Sequence, residues 1–387
     1  MTTDALDLLS RSIFRGGNFY VPDDFEITFD PVLEIEQTST QARNFVFLED
    51  NESLFLNDGF VRDFISGDGD ADVVIGNTGT IGSSGRADPS ITLTGNGQRA
   101  ILNEGDILGG IQLGGGDDLL YTAGLIDGDV NMGGGDDIVL VRDFVRGGEA
   151  FPGEITGTLN TGSGNDVVVN GGLIGNVNLG SGDDIYNALA LNGEIAAGGR
   201  ISAGTGNDII RGGASAERVY GGSGNDEIDG NDGNDWLNGG INGDTVRGGN
   251  GDDIITGGNG RDWLSGGSGD DTIHGGTGRD MIYGGRGDDM LNGQSGADTF
   301  HFFGRGGNDT IVDFKDNDLV VIDAPAGFPG LSFALIDSLL DYSGTGARLD
   351  LTELFEQAGL GDYTDGENSI TWLDVADGAL TADHFAF

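Results

Sequence analysis

The chain has 387 residues, of which 76 are glycine, 6 are proline and none is cysteine. The absence of cysteine excludes disulfide bonds and thiol chemistry. The 65 acidic and 18 basic residues give a formal net charge of −47. Nucleic acids and anionic membrane surfaces would repel such a chain, so neither is expected as a partner. The same charge predicts a chain that repels itself and stays unfolded until cations bind.

Residues 1–40 contain several aromatic residues and no repeat, and we expect them to cap the first coil of the region that follows. The first residues lack a basic start followed by a long apolar run, so they do not indicate a secretory signal peptide. No stretch approaches the roughly 18 apolar residues of a membrane-spanning helix, and no membrane span is expected.

Residues 41–202 carry a loose repeat in which four glycine-rich turns each contain an aspartate at the same place. The alternation of apolar residues between these turns indicates strands with one buried face. We therefore expect coils of about 18–19 residues, with the acidic turn on one edge only and an insert near 142–153. A fifth turn has Arg99 at the aspartate position, where it is expected to replace an ion by a charge pair. The four aspartates are Asp118, Asp137, Asp166 and Asp184.

Residues 203–301 consist of eleven consecutive nine-residue units without an insertion. In a typical unit such as GGSGDDTIH, glycine occupies positions one, two and four, an acidic residue position six and an apolar residue position eight. A fixed short period indicates a repeat architecture. The acidic residues at position six are Asp208, Glu217, Asp226, Asp235, Asp244, Asp253, Asp262, Asp271, Asp280, Asp289 and Asp298.

Each unit divides into a six-residue turn and a three-residue strand. Glycine allows the left-handed backbone that such a turn needs. The strand is too short for a helix and suits a parallel sheet, with the eighth side chain pointing inward. Two units then complete one coil, and the sixth-position carboxylates stack about 4.8 Å apart. Stacked like charges are unfavourable, which argues against a merely solvated acidic face. Calcium between them removes the repulsion, because it binds six to eight oxygen ligands.

The repeat resembles the RTX, or haemolysin-type, calcium-binding nonapeptide. The resemblance implies a parallel β-roll at 203–314, calcium between coils, calcium-triggered folding and export by a type I secretion machinery. Pairing each unit with the second unit after it gives nine candidate sites, of which about eight are expected to bind Ca²⁺. Calcium in the upstream turns is left open. Asn231, Asn242 and Gln294 replace expected glycines, and asparagine tolerates left-handed backbone moderately well.

After residue 301 the repeat pattern shifts and then ends. One more turn, two residues late, places Asp309 in the acidic position, while Asp313 is expected to face solvent rather than to bind metal. Residues 315–387 have less glycine and predict a small mixed cap with short helices at 331–341 and 350–358. Their acidic and apolar tail also resembles the uncleaved C-terminal signal of type I exported proteins. The predicted fold is therefore all-β, a right-handed parallel β-helix that continues into an RTX β-roll and a cap.

Enzymatic activity is not indicated by the sequence, although one class stays open. The three histidines, His274, His301 and His384, do not form the HExxH motif of a metalloprotease, and GSSGR at 82–86 does not read as a lipase elbow. The alternative is a β-helical polysaccharide lyase or epimerase, but the upstream arginines are scattered. The sequence favours a secreted, extracellular or cell-surface calcium-binding protein with a matrix or adhesive role, for which polysaccharide is a candidate partner.

Overall fold

The computed structural model describes residues 35–386 with gaps at 39–42, 49–52, 58, 69, 71, 84–88, 143, 147–148, 152, 189–193, 196–198, 304–305, 324–331, 343–345, 358–367, 374 and 376–378. Over these residues the chain forms a parallel β-solenoid with two long sheets, which confirms the predicted all-β fold. The predicted cap at 1–40 lies outside the described residues except for Ile35–Thr38. These four residues pair in parallel with Ser53–Asn57. The division at 40, 202 and 314 stays a prediction.

The first long sheet, called sheet A, has 16 strands in chain order. Its strands are Ile35–Thr38, Ser53–Asn57, Val73–Asn77, Arg99–Asn103, Leu119–Thr122, Ile138–Val141, Val167–Asn170, Ile185–Ala188, Ile209–Arg211, Glu227–Asp232, Thr245–Asn250, Trp263–Ser268, Met281–Arg286, Thr299–Phe303, Leu319–Asp323 and Phe385–Ala386.

The second long sheet, called sheet B, has 21 strands. Its strands are Arg43–Leu48, Phe60–Asp68, Thr80–Gly82, Ile91–Thr94, Asp106–Leu108, Ile111–Gln112, Leu125–Ile126, Val130–Gly134, Glu154–Ser163, Leu173–Ser181, Glu194–Ile195, Ile201–Thr205, Arg218–Ser223, Trp236–Ile241, Ile254–Gly260, Thr272–Gly278, Met290–Gly296, Asn308–Ile311, Leu340–Asp341, Gly346–Asp350 and Ser369–Leu373.

The nine-residue units alternate between the two sheets, so each residue pairs with the one 18 positions later. In sheet A, Val246 pairs with Leu264 and Leu264 pairs with Ile282. The eighth-position side chains are all fully buried between the sheets, from Ile210 to Phe300. Their burial drives the stacking, because a single coil cannot cover its own apolar side chains. The predicted pairing of each unit with the second unit after it is thus confirmed.

The upstream coils use asparagine on the edge that lacks the acidic turn. The Nδ2 atom of Asn57 donates to Oδ1 of Asn77, and Asn77 donates in the same way to Asn103, each at 2.8 Å. These buried amides satisfy one another from coil to coil. The predicted insert near 142–153 contains a short antiparallel pair, Phe144–Arg146 with Glu149–Phe151.

The C-terminal residues cover the last coil. The helices Phe333–Leu339 and Leu351–Gln357 fall within the two predicted segments. Strand Ser369–Leu373 pairs in parallel with Asn308–Ile311 and carries the fully buried Trp372. Burying this ring shields the apolar core at the end of the solenoid from water. No helix in the described ranges is long and apolar enough to cross a membrane.

Candidate metal centre

The acidic residues of the turns form two ladders along the edges of the solenoid. One edge leads into sheet A and the other into sheet B. In both ladders the members are buried, with exposures between 0% and 4%. The long ladder contains Asp118, Asp137, Asp166, Asp184, Asp208, Asp226, Asp244, Asp262, Asp280, Asp298 and Asp318. The short ladder contains Glu217, Asp235, Asp253, Asp271, Asp289 and Asp309.

Each ladder is held by one repeated hydrogen bond. The backbone N–H of an acidic residue donates to Oδ1 of the acidic residue one coil later. In the short ladder, Asp253 donates to Asp271 at 2.8 Å and Asp271 donates to Asp289 at 2.9 Å. This bond fixes one carboxylate oxygen and the orientation of the side chain, because hydrogen bonds to ionised groups are strong.

In fourteen of the ladder aspartates the second carboxylate oxygen is left without a hydrogen-bond partner within the described part of the chain. A buried oxygen of this kind is costly unless another group compensates it. A bound cation is one such group. The aspartates whose Oδ2 atom is buried and unpartnered are Asp118, Asp137, Asp166, Asp184, Asp208, Asp226, Asp235, Asp244, Asp253, Asp262, Asp271, Asp280, Asp289 and Asp298.

The glycine at position one leaves free space beside this oxygen in the regular units. A Cβ atom added to Gly266 would lie 2.1 Å from Oδ2 of Asp271 and 2.5 Å from the carbonyl oxygen of Gly284, one coil later. A carboxylate and a carbonyl oxygen therefore converge on a space that a methyl group would fill. Upstream turns differ, since buried side chains such as Leu113 and Leu179 occupy position one.

Burial raises the pKa of the ladder carboxylates. The pKa of Asp271 is raised to about 8, chiefly by burial; the Asp253 N–H lowers it, and the carboxylates of Asp289 and Asp253 contribute to the rise. Burial likewise raises the pKa of Asp235 and of Asp244 to about 7. These pKa shifts have one direction for the aspartates of both ladders, because each of their carboxylates loses water and has another carboxylate near it. A nearby cation would favour the ionised form.

Calcium fits this donor set better than zinc does. Among the described residues, no three His, Asp or Glu side chains converge on one point. The oxygens available around each Asp are therefore one carboxylate oxygen and backbone carbonyl oxygens, which calcium accepts. Zinc requires Cys or His ligands in most of its structural sites. The residues present thus fit calcium.

The structure places the predicted site residues of the upstream coils and of the regular repeat on one continuous ladder. Asp118, Asp137, Asp166 and Asp184 continue directly into Asp208, so the upstream row and the regular repeat share one ladder. The step from Asp289 to Asp309 is 20 residues, which agrees with the predicted two-residue delay.

The three residues that replace expected glycines have a left-handed backbone, as predicted for the two asparagines. The φ angles of Asn231, Asn242 and Gln294 are 70°, 84° and 60°. Strand pairing continues through Asn231, which pairs with Gly249, and through Gln294, which pairs with Gly276.

Two predictions at the C-terminal end need correction. Asp313 does not simply face solvent, because its carboxylate accepts hydrogen bonds from the N–H groups of Gly293 and Gln294 at 2.9 and 2.7 Å. Asp318, absent from the predicted set, ends the long ladder and is 2% exposed. Its glycine-rich turn is missing, and the only signal in the sequence is its distance of 20 residues from Asp298.

Arg99 also departs from the prediction. Its backbone N–H donates to Oδ1 of Asp118 at 2.7 Å, so it keeps the ladder bond. Its guanidinium group donates to carbonyl oxygens of the surrounding turns, among them Thr94 and Gly115, each at 2.7 Å. Burial raises the pKa of the Asp118 carboxyl to about 7, while the Arg99 N–H and the Arg99 charge both lower it. The carbonyl contacts of the guanidinium group were not predicted from the sequence.

The fold and the two carboxylate ladders define a parallel β-solenoid with acidic, glycine-rich turns. A family model, the RTX calcium-binding nonapeptide repeat (4 copies), matches residues 198–228, 212–246, 229–264, 239–273 and 265–300. Residues 198–300 thus carry RTX calcium-binding nonapeptide repeats. No curated protein matches the chain significantly.

Solved structures with some likeness to the chain include three bacterial proteins. A hyperactive, Ca²⁺-dependent, β-helical antifreeze protein from an Antarctic bacterium is 19% identical, with a TM-score of 0.44, over 72% of this chain and 86% of that one. The extracellular lipase LipA from Serratia marcescens is 17% identical, with a TM-score of 0.28, over 65% of this chain and 45% of that one. A subunit of the mannuronan C5-epimerase from Azotobacter vinelandii is 23% identical, with a TM-score of 0.15, over 38% and 79%.

Proposed function

We propose that the protein is exported and that calcium binding to its two carboxylate ladders drives its folding outside the cell. The observation that carries this proposal is the row of buried, unpartnered Oδ2 atoms on the aspartates of both ladders. A net charge of −47 opposes compaction without cations. Calcium bound only in the folded state then contributes its binding free energy to folding.

The proposed ligands in 203–314 are the sixth-position residues and Asp309, with carbonyl oxygens of the glycine-rich turns. About eight ions are proposed between the coils of 203–301, following the steps between successive carboxylates of each ladder. The same unpartnered oxygen on Asp118, Asp137, Asp166 and Asp184 supports further ions upstream.

Circular dichroism with calcium titration tests the central proposal. In EDTA at neutral pH the β signal should be lost, and adding calcium should restore it cooperatively. Magnesium at the same concentration is the control, because it demands octahedral geometry and gives up its water reluctantly. A spectrum that does not respond to calcium would refute calcium-driven folding.

Export by a type I secretion machinery is supported by the acidic and apolar composition of the C-terminal tail. In a host with such a machinery, deletion of 330–387 should leave the protein inside the cell. Because the deletion also removes the cap, residues 330–387 should in addition be fused to a reporter protein. Export of the deletion variant, or failure to export the fusion, would contradict the proposal.

Outside the cell we propose a matrix or adhesive role with polysaccharide as partner. An outward-facing row on sheet A supports this, because aromatic rings and arginine are common contacts for ligands at surfaces. Arg247 lies 5.0 Å from the ring of Trp263, and Tyr283 lies 5.2 Å from that ring. Calcium-loaded protein should be retained by at least one of a panel of polysaccharides, and Trp263→Ala should reduce retention. New reducing ends or unsaturated products in the same panel would favour the lyase or epimerase alternative.

A further inference from the structure

The first turn that matches the long ladder contains a buried arginine in place of an aspartate. Arg99 occupies position six of the unit 94–102 and is 1% exposed. Its backbone N–H still donates to Oδ1 of Asp118. The ladder geometry is therefore kept, while the side chain has the opposite charge.

The guanidinium group lies among backbone carbonyl oxygens from two coils. Nη2 donates to Thr94 at 2.7 Å, and Nη1 donates to Gly95 at 3.2 Å, to Gly97, and to Gly115 at 2.7 Å. The first three are positions one, two and four of the same unit, and Gly115 is position three of the turn one coil later. These carbonyl oxygens surround a positive charge, which is the role that calcium's oxygen ligands perform.

The other end of the long ladder also has donors supplied by side chains. Lys315, the single lysine of the chain, donates from Nζ to the carbonyl oxygen of Gln294, and Asn317 donates from Nδ2 to that of Gly296. These carbonyls are positions two and four of the last regular unit, the same positions that hold the arginine at the first turn. Oδ2 of Asp318 accepts from the Lys315 N–H at 2.8 Å.

We propose that Arg99 is a built-in cation that occupies the place of a calcium ion in the first turn of the long ladder, and that Lys315 and Asn317 close its last turn in a similar way. The proposal rests on the proposed calcium binding of the turns between these ends. It limits calcium to the coils between them and makes the coil at 94–118 independent of calcium.

Calorimetric calcium titration of the full chain tests the role of Arg99. Arg99→Asp should create a turn with the carboxylate that the later turns have, so the folded variant should bind one calcium ion more than the wild-type chain. Arg62→Asp is the matched control, since Arg62 is exposed and its substitution makes the same change in charge. A folded Arg99→Asp chain with the wild-type stoichiometry would overturn the proposal.

If the Arg99→Asp variant does not fold, thermal unfolding of Arg99→Met and Arg99→Lys tests whether Arg99 acts as a built-in cation. Met leaves the carbonyl oxygens without a cation, so the melting temperature should fall by roughly 5 °C. Arg99→Lys keeps the positive charge with fewer hydrogen-bond donors, so its melting temperature should fall less than that of Arg99→Met. An Arg99→Met chain as stable as the wild type would overturn the proposal. If the wild-type chain bound no calcium, the proposed function would fail and this thermal series alone would decide the role of Arg99.

Discussion

At the scale of single residues, each ladder aspartate has two oxygens with different environments. Oδ1 of Asp271 accepts the Asp253 N–H, whereas Oδ2 is buried and unpartnered. In Asp271→Asn an amide oxygen can still accept the backbone hydrogen bond, but the negative charge is lost. The substitution therefore separates the structural role of the side chain from its role toward a cation.

We expect Asp271→Asn to weaken calcium binding while it stabilises the calcium-free chain. The loss of charge removes a calcium ligand, and calorimetry should show at least one ion fewer. Without calcium the same loss removes a buried carboxyl whose pKa is raised to about 8, so any residual folded population in EDTA should increase. Asp270→Asn, at the neighbouring exposed position, should change neither quantity. Equal effects of the two substitutions would contradict the assigned roles.

Position two of the unit requires a left-handed backbone, and Gly267 has a φ of 120°. A Cβ there would lie 2.1 Å from the carbonyl oxygen of Gly249, one coil earlier. We expect Gly267→Ala to destabilise the calcium-loaded chain by about 1–3 kcal/mol, measured by denaturant unfolding. Gly267→Asn should cost less, because Asn231 occupies the equivalent position with a φ of 70°. An alanine variant as stable as the wild type would argue against this requirement.

At the scale of elements, the sequence predicted what depends on a short period. Nine-residue units dictate the strand spacing, the 18-residue register and the burial of position eight, because each follows from local geometry repeated along the chain. The contacts of Arg99 and the place of Asp318 depend on how one coil lies on the next. Asp318 lacks the glycine-rich turn, and the contact of Arg99 with Gly115 joins two successive coils, so no local pattern reports either of them.

The C-terminal cap supplies the apolar cover for the last coil. Trp372 is fully buried, and its ring lies 6.4 Å from that of Phe314 and 6.1 Å from that of Phe385. We expect Trp372→Ala to cost about 3–5 kcal/mol. In a solenoid each coil contacts only its neighbours, so hydrogen exchange should increase near 299–323 and stay unchanged near 119–141.

Leu373→Ala is the matched control for the cap, since Leu373 is adjacent in the strand but 38% exposed. It should leave hydrogen exchange close to the wild-type pattern. Uniform loss of protection along the whole chain in Trp372→Ala would show that the coils unfold as a single unit, against the expectation of local fraying.

At the scale of the whole molecule, protons and calcium compete for the same carboxylates. Burial raises the pKa of Asp253 to about 6, and burial together with neighbouring carboxylates raises the pKa of Asp137 to about 9. The folded chain without calcium therefore binds more protons than the unfolded chain, whose carboxyls keep the ordinary value near 3.8. The contribution of these groups to stability is full below about pH 4 and is lost as the pH rises through 6 to 9.

We therefore expect opposite pH dependences with and without calcium. In EDTA, lowering the pH from 8 towards 5 should restore part of the β signal, because protons neutralise the buried ladders. With calcium, the affinity should fall over the same range, since each ion must displace protons. Calorimetry in buffers with different ionisation enthalpies should show protons released on calcium binding at pH 7. Binding without proton release, together with calcium-free stability that increases with pH, would show that the ladder carboxylates are already ionised in the folded chain before calcium arrives.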